Sequence, residues 1–187
     1  MSYLAFTDTE TTGLFANKHR VIEVCVDVCT HYSEMKTIKR IEYKLKPTEE
    51  MLKTAEPKAL EINGYTVEKW ANGEEDHLKV WAEVFALMEG NIPVGHFIDF
   101  DLGFIDAEVG RSLGKRLPQF RNKLDTKAFA YMFGANAGVK PLPWSLGKAH
   151  EVTGLPARAA HTAGGDVDMC KDLYAEAMRR FTLGSKV

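Results

Sequence analysis

Residues 3–8 of the chain read YLAFTD, and residues 20–29 read RVIEVCVDVC. The first segment alternates in polarity as a strand does, and the valine-rich second segment is typical of a mostly buried strand. Residues 37–45, TIKRIEYKL, predict a third strand with one solvated face, antiparallel to the second. We therefore expect the fold to open with three strands of one sheet.

Downstream of these strands the pattern changes to helices around one short buried strand at residues 92–96, IPVGH. The helical segments are a stretch containing TAEPKALEI, residues 77–89, a segment marked by Leu102, Ile105, Val109 and Leu113, and residues 166–181. The apolar stripes predicted for residues 77–89 and 166–181 are Leu78, Trp81, Phe85 and Met88, and Val167, Cys170, Leu173, Tyr174, Ala177 and Phe181. This order predicts an α/β fold with a mixed central sheet flanked by helices, in one domain over residues 1–187.

The composition is that of an ordinary globular protein. The chain has 187 residues, 45% of them hydrophobic, and a net charge of −2, which excludes intrinsic disorder. The charge argues against a protein that coats nucleic acid tightly and leaves a local, transient contact open. No apolar run approaches the ~18 residues of a membrane span, and the first residues do not form a secretory signal.

Three cysteines, Cys25, Cys29 and Cys170, are too few and too scattered for a disulfide framework or a zinc site. We expect them in the core, with Cys25 and Cys29 on one face of their strand. These cysteines indicate a reducing, cytoplasmic setting. We expect no membrane among the partners of the protein.

Asp8 and Glu10 stand two residues apart at the end of the first predicted strand. The period of a strand sends both side chains to one face. Two neighbouring buried carboxylates need cations, and oxygen ligands favour Mg²⁺ or Mn²⁺. An acidic strand end in solvent is the alternative interpretation.

Two further acidic segments follow. Residues 95–104, GHFIDFDLGF, place Asp101 after a buried strand, where α/β sheets hold their sites, or alternatively as an acid that complements a helix dipole. Residues 161–166, HTAGGD, place His161 just ahead of Asp166. The histidine is a candidate general base, and the alternative interpretation of this pair is a surface histidine and a helix cap.

Together these segments resemble the DEDDh family of 3′→5′ exonucleases, of the DnaQ-like superfamily with a ribonuclease H-like fold. Residues 6–14, FTDTETTGL, match the first motif with one extra residue between the phenylalanine and the aspartate. Residues 96–101, HFIDFD, are similar to His-Asn-x-x-Phe-Asp, and residues 161–166 match His-x-Ala-x-x-Asp. The resemblance runs from about residue 3 to residue 181, with the three motifs in order.

The resemblance implies a metal-dependent exonuclease that releases nucleoside 5′-monophosphates from 3′ ends. The implied ligands of two Mg²⁺ or Mn²⁺ ions are Asp8, Glu10, Asp101 and Asp166, and the implied general base is His161. The implied substrate contacts are Thr11, Thr12, Leu14 and His96. We expect single-stranded or 3′-ended nucleic acid as the substrate, DNA rather than RNA. A polymerase proofreading subunit, an exoribonuclease and a non-catalytic binding module remain alternatives, and a protein partner or a homo-oligomer stays open.

The chain departs from the family pattern at Phe97, where an asparagine is usual. That asparagine is not a metal ligand, so the change bears on local positioning and substrate preference. Asp99 lies two residues before Asp101, and the register of the motif favours Asp101 as the ligand.

Two segments offer a grip on nucleic acid. Residues 111–127 hold six basic residues and one acid, a net charge of +5, and form either a phosphate-tracking patch or a solvated loop. Phe97, Phe100 and Phe104 offer a stacking surface to a base. At this spacing at a helix start, we expect at least two of the three in the core.

Overall fold

The computed structural model describes residues 2–31, 35–140, 145–158 and 161–184, with side chains up to residue 181. Its strands are β1 (Leu4–Thr11), β2 (Val21–Cys29), β3 (Thr37–Lys44), β4 (Ile92–Gly95) and β5 (Leu124–Asp125). Its helices are α1 (Glu49–Lys53), α2 (Pro57–Ile62), α3 (Val67–Trp70), α4 (His77–Met88), α5 (Ile98–Leu113), α6 (Thr126–Asn136), α7 (Leu146–Thr153) and α8 (Ala163–Gly184). The ends of the domain expected over residues 1–187 lie outside the described residues.

The five strands form one mixed sheet in the order β3-β2-β1-β4-β5. β1 and β3 pair antiparallel with β2, and β4 runs parallel to both β1 and β5. The predicted α/β fold with a mixed, helix-flanked sheet is confirmed. β1 runs on to Thr11, beyond the predicted residues 3–8, because its pairing with β2 continues past the acidic residues.

Helices cover both faces of the sheet. α8, with α6 and α7, packs on the face that contains Phe6, Cys25 and Cys29, while α4 and α5 cover the opposite face. All three cysteines are buried and free, and Cys25 and Cys29 share one face as predicted. None of the helices in the described part of the chain has the length and apolar character needed to cross a membrane.

Two residues of the predicted apolar stripes are exposed. The buried residues of α4 are Val80, Trp81, Val84 and Met88. Leu78 is exposed because it lies roughly 100° around the helix from the centre of that stripe. Phe181 is 50% exposed because α8 continues past Ala177, the last core residue of the helix.

Candidate active site

Asp8 and Glu10 lie on the face of β1 that α8 covers. Their partners across the ladder are Cys25 and Glu23 of β2. α8 crosses this face and brings Asp166, in its first turn, against the strand. Carboxylate oxygens of Asp8, Glu10 and Asp166 all lie within 4.8 Å of one another. The same-face parity of the strand thus brings the first two carboxylates together, and the packing of α8 adds the third.

Asp101 approaches the same strand from α5. Its Oδ1 accepts hydrogen bonds from the backbone N–H of Thr9 at 2.9 Å and from the Thr9 hydroxyl at 2.7 Å. The side chain is 3% exposed and stands outside the three-carboxylate group, although its charge contributes to the raised pKa of Asp8. Asp99, by contrast, points outward and pairs with Lys123.

The pKa values of the four carboxyls are all raised. Burial is the largest cause in each case, and repulsion from neighbouring carboxylates adds to it at Asp8, Glu10 and Asp101. The pKa of Glu10 rises to about 8 and that of Asp101 to about 7. None of the salt bridges among the described residues involves these four groups. An all-oxygen donor set of this kind fits a divalent cation such as Mg²⁺ or Mn²⁺.

His161 stands next to Asp166 at the entrance to α8. Its side chain is exposed, and its backbone adopts a left-handed conformation with φ +62°, which is costly for a residue with a Cβ. Both the imidazole and the backbone N–H of His161 act to lower the pKa of the Asp166 carboxyl, against the larger effect of burial. The structure therefore brings the predicted base and ligand together.

Glu23 is a buried acid at this site that the sequence analysis missed. It lies opposite Glu10 on β2, and its carboxylate accepts a hydrogen bond from the backbone N–H of Ala163 at 3.2 Å. The hydroxyl of Thr162 accepts from Gly165 N–H at 3.1 Å, so two side chains cap the start of α8. The available signal was a glutamate inside the apolar run VIEV.

The end of β1 and the turn after it carry three of the four predicted substrate contacts. The Thr11 hydroxyl donates to the Gly13 carbonyl at 2.7 Å, and the buried Thr12 hydroxyl accepts from Arg20 N–H at 2.9 Å. These bonds shape the turn from within, while Leu14 projects into solvent and is 66% exposed. Leu14 is thus free to contact a ligand.

A buried histidine, His19, fills the space under this turn. Its Nδ1 accepts from Phe15 N–H at 3.0 Å, and its Nε2 lies 3.4 Å from a Glu56 oxygen without hydrogen-bond geometry. A methyl group at Gly13 would lie 2.6 Å from the ring, so this position requires glycine. The His19 ring is consequently packed against the turn at Gly13.

His96 and Phe97 form the turn between β4 and α5. The His96 Nδ1 lies 3.1 Å from the Thr126 hydroxyl. Phe97 adopts a left-handed conformation with φ +68°, and its N–H donates to Asp125 at 2.9 Å. Phe104 is buried and Phe100 half-buried, as expected for two of the three phenylalanines, whereas Phe97 is 54% exposed.

The basic stretch over residues 111–127 does not form one cationic patch. Four of its six cations contact partners on α4 and α5: Arg111 pairs with Glu108, Arg116 with Asp106, Lys123 with Asp99, and Lys115 lies over the Phe85 ring. The segment after α5 folds back on that helix, where Leu117 N–H donates to Asp106 at 2.8 Å. Acids of α5 offset much of the charge, which favours the solvated-loop interpretation.

A mixed sheet with acidic residues from β1, α5 and α8 gathered on its central strand defines a ribonuclease H-like nuclease domain. The exonuclease family model RNase_T matches residues 5–174. The chain therefore belongs to this family of DnaQ-like 3′→5′ exonucleases, which confirms the resemblance found in the sequence.

Individual relatives agree with this assignment. The chain is 28% identical over 174 residues to the DNA polymerase III subunit epsilon of Treponema pallidum (strain Nichols), covering 92% of this chain and 75% of that protein. The fold matches E. coli exonuclease I in complex with a dA16 oligonucleotide at a TM-score of 0.75 and 20% identity, over 96% of this chain and 41% of that one. Exonuclease I from Methylocaldum szegediense matches at 0.76 and 19% identity, with the same coverage. The chain thus spans about two fifths of the exonuclease I chains.

Proposed function

We propose that this protein is a metal-dependent exonuclease that removes nucleotides one at a time from the 3′ end of DNA. The observation that carries the proposal is the convergence of Asp8, Glu10 and Asp166 within 4.8 Å, with Asp101 bonded to the same strand. Similarity to a polymerase III epsilon subunit and a shared fold with an exonuclease bound to a DNA oligonucleotide support DNA as the substrate.

The four carboxylates would hold two Mg²⁺ or Mn²⁺ ions. When bound, such ions supply the positive charge that stabilises the scissile phosphate and the leaving 3′ oxygen. Water adds to phosphorus, the bond to the 3′ oxygen of the penultimate nucleotide breaks, and the terminal nucleotide leaves as a 5′-monophosphate. His161 takes the proton of the attacking water, because its exposed imidazole stands beside Asp166.

The terminal nucleotide would be held by the turn after β1 and by His96. The turn is fixed internally by the Thr11 and Thr12 hydroxyls, which leaves its backbone rigid and the Leu14 side chain available to a base or sugar. A rigid turn lowers the entropy lost on binding, so the reacting phosphate is positioned without reordering the protein.

The test of this function is a product and substrate assay. Single-stranded DNA, duplex DNA and RNA of one sequence are digested with Mg²⁺ or Mn²⁺, and the products are separated chromatographically. We expect nucleoside 5′-monophosphates, released fastest from DNA. Release of 3′-monophosphates would contradict the proposed bond cleavage. Faster digestion of RNA than of DNA would indicate an exoribonuclease.

Proofreading is the second candidate, because similarity to the epsilon subunit extends over 92% of this chain. A proofreading enzyme should remove a mismatched primer terminus faster than a paired one, since fraying of the mismatch supplies a single-stranded end. Primer–template pairs that differ only in the terminal base measure this directly. Equal rates on mismatched and paired termini would indicate a general 3′ exonuclease instead.

A further inference from the structure

Phe97 occupies a backbone conformation that does not suit phenylalanine. Its φ of +68° and ψ of +46° lie in the left-handed region, where asparagine and glycine are enriched and bulky residues are rare. The chain therefore has an aromatic ring where the backbone conformation favours another residue. Backbone strain of this kind concentrates at functional sites.

The surrounding structure enforces the turn without help from the ring. The Asp125 carboxylate accepts from the backbone N–H groups of Phe97 and Lys127, both at 2.9 Å. Gly95 lies so close to β1 that a methyl group there would stand 2.9 Å from the Thr7 carbonyl. The ring is 54% exposed, so burial in the core does not explain its presence.

The ring stands at the edge of the candidate active site. β4 runs parallel to β1 with Val94 opposite Phe6, so the turn at His96 and Phe97 follows β4 at about the level of Asp8 and Thr9. One turn further along α5, Asp101 bonds to Thr9 of β1. A strand that places its terminal phosphate at the carboxylates would pass within reach of this ring.

A cation accompanies the ring. The Lys127 ammonium lies 5.0 Å from the centroid of the Phe97 ring, and the Phe100 ring lies nearly parallel at 6.4 Å. None of the salt bridges among the described residues includes Lys127. An aromatic face combined with an ammonium suits a nucleotide, because the ring stacks with a base and the ammonium pairs with a phosphate.

We propose that Phe97 and Lys127 form a holding site for a nucleotide of the substrate strand. The base displaces the ammonium from the ring, and the ammonium moves to a neighbouring phosphate. Every base presents a π face, so this contact adds affinity without sequence preference. The inference rests on the proposed function only in that it takes nucleic acid as the ligand.

Binding of a fluorescein-labelled single-stranded DNA oligonucleotide in EDTA tests the proposal without catalysis. Phe97→Asn should raise the dissociation constant roughly tenfold, the scale of one lost stacking contact, and should raise the melting temperature because the strain is released. Phe97→Trp should bind within about twofold of wild type. Lys127→Gln should reduce the salt dependence of binding by about one phosphate contact. Phe181→Ala removes a comparably exposed ring (50%) near the end of α8 and should leave the dissociation constant unchanged.

An unchanged dissociation constant in Phe97→Asn would overturn the proposal, as would equal weakening in Phe181→Ala or an oligonucleotide that does not bind the wild type. A lowered melting temperature in Phe97→Asn would overturn the strain argument. Hydrolysis with Mg²⁺ is measured separately. Wild-type protein that binds through Phe97 but does not cut DNA would refute the proposed function alone, and protein that cuts DNA but binds independently of Phe97 would refute this inference alone.

Discussion

Asp99 and Asp101 differ by two positions and occupy opposite environments. Asp101 is 3% exposed and bonded to Thr9, while Asp99 lies in solvent beside Lys123. Asp101→Asn keeps an oxygen for both Thr9 bonds, so the fold should survive, but it removes the charge that a cation requires. We expect DNA hydrolysis to fall roughly 100-fold or more.

Asp99→Asn is the matched control and should remain within about twofold of wild type, because an exposed ion pair contributes little. Initial rates on one oligonucleotide, with circular dichroism to verify folding, compare the two variants. The reverse ranking would show that the second motif has been placed two residues too late.

His161 is expected to act on the proton of the attacking water. A general base contributes roughly 10²–10⁴-fold, so His161→Ala should lose activity on that scale while retaining metal binding. His161→Asn is the better-folded companion, because asparagine tolerates the left-handed backbone at φ +62°. Near-wild-type rates in both would make His161 a surface residue.

Among the secondary-structure elements, the junction of β2 with α8 fixes the geometry of the site. The Glu23 carboxylate accepts a hydrogen bond from Ala163 N–H, and Asp166, three residues further along α8, lies beside Asp8 and Glu10 of β1. Glu23→Gln preserves the accepting oxygen and should keep activity within a few-fold. Glu23→Ala leaves a buried N–H unpaired, a loss of about 1–3 kcal/mol, and should slow hydrolysis roughly tenfold and lower the melting temperature.

Hydrogen exchange at the Ala163 amide gives a readout of this role that does not depend on activity. The amide should exchange faster in Glu23→Ala than in Glu23→Gln. If Glu23 were instead a metal ligand, the glutamine variant would be as inactive as the alanine variant and the amide would stay protected in both.

The carboxylate cluster should make the stability of the metal-free protein depend on pH. The folded-state pKa of Glu10 is raised from 4.5 to about 8, so the folded protein holds a proton that the unfolded chain has released at neutral pH. The resulting stabilisation is complete below about pH 4.5 and is lost as pH rises towards 8, at up to about 1.4 kcal/mol per pH unit. Melting temperatures in EDTA should therefore fall over this range.

Metal ions and protons compete for the same oxygens, so the rise in melting temperature caused by Mn²⁺ should be larger at pH 8 than at pH 6. Glu10→Gln should flatten the pH dependence in EDTA because its amide does not titrate. Stability in EDTA that rises from pH 5 to pH 8 would contradict the raised pKa values.

Local periodicity accounts for the features that the sequence predicted correctly. The contacts that it missed join residues far apart in the chain. The same-face placement of Asp8 and Glu10 follows from the period of a strand, and the fold class follows from the order of the elements. The bond between Glu23 and Ala163 joins residues 140 positions apart, and that between Thr9 and Asp101 joins residues 92 apart. Such contacts depend on tertiary packing, which no local pattern encodes.

For the whole molecule, we propose that elements far apart in sequence create one metal-dependent site for a 3′ end. β1, α5 and α8 each contribute carboxylates, and burial raises the pKa values of all four groups. Such a site requires a divalent ion and degrades DNA from the 3′ end. One gel measures both the metal requirement and the direction of degradation.

The most direct measurement is digestion of 5′-labelled single-stranded DNA over time, with Mg²⁺, with EDTA, and with Asp8→Asn in Mg²⁺. We expect a ladder of labelled products that shortens one nucleotide at a time with Mg²⁺, and intact DNA in the other two reactions. Degradation at the full rate by metal-free protein in EDTA, or immediate release of the label as a mononucleotide, would contradict it.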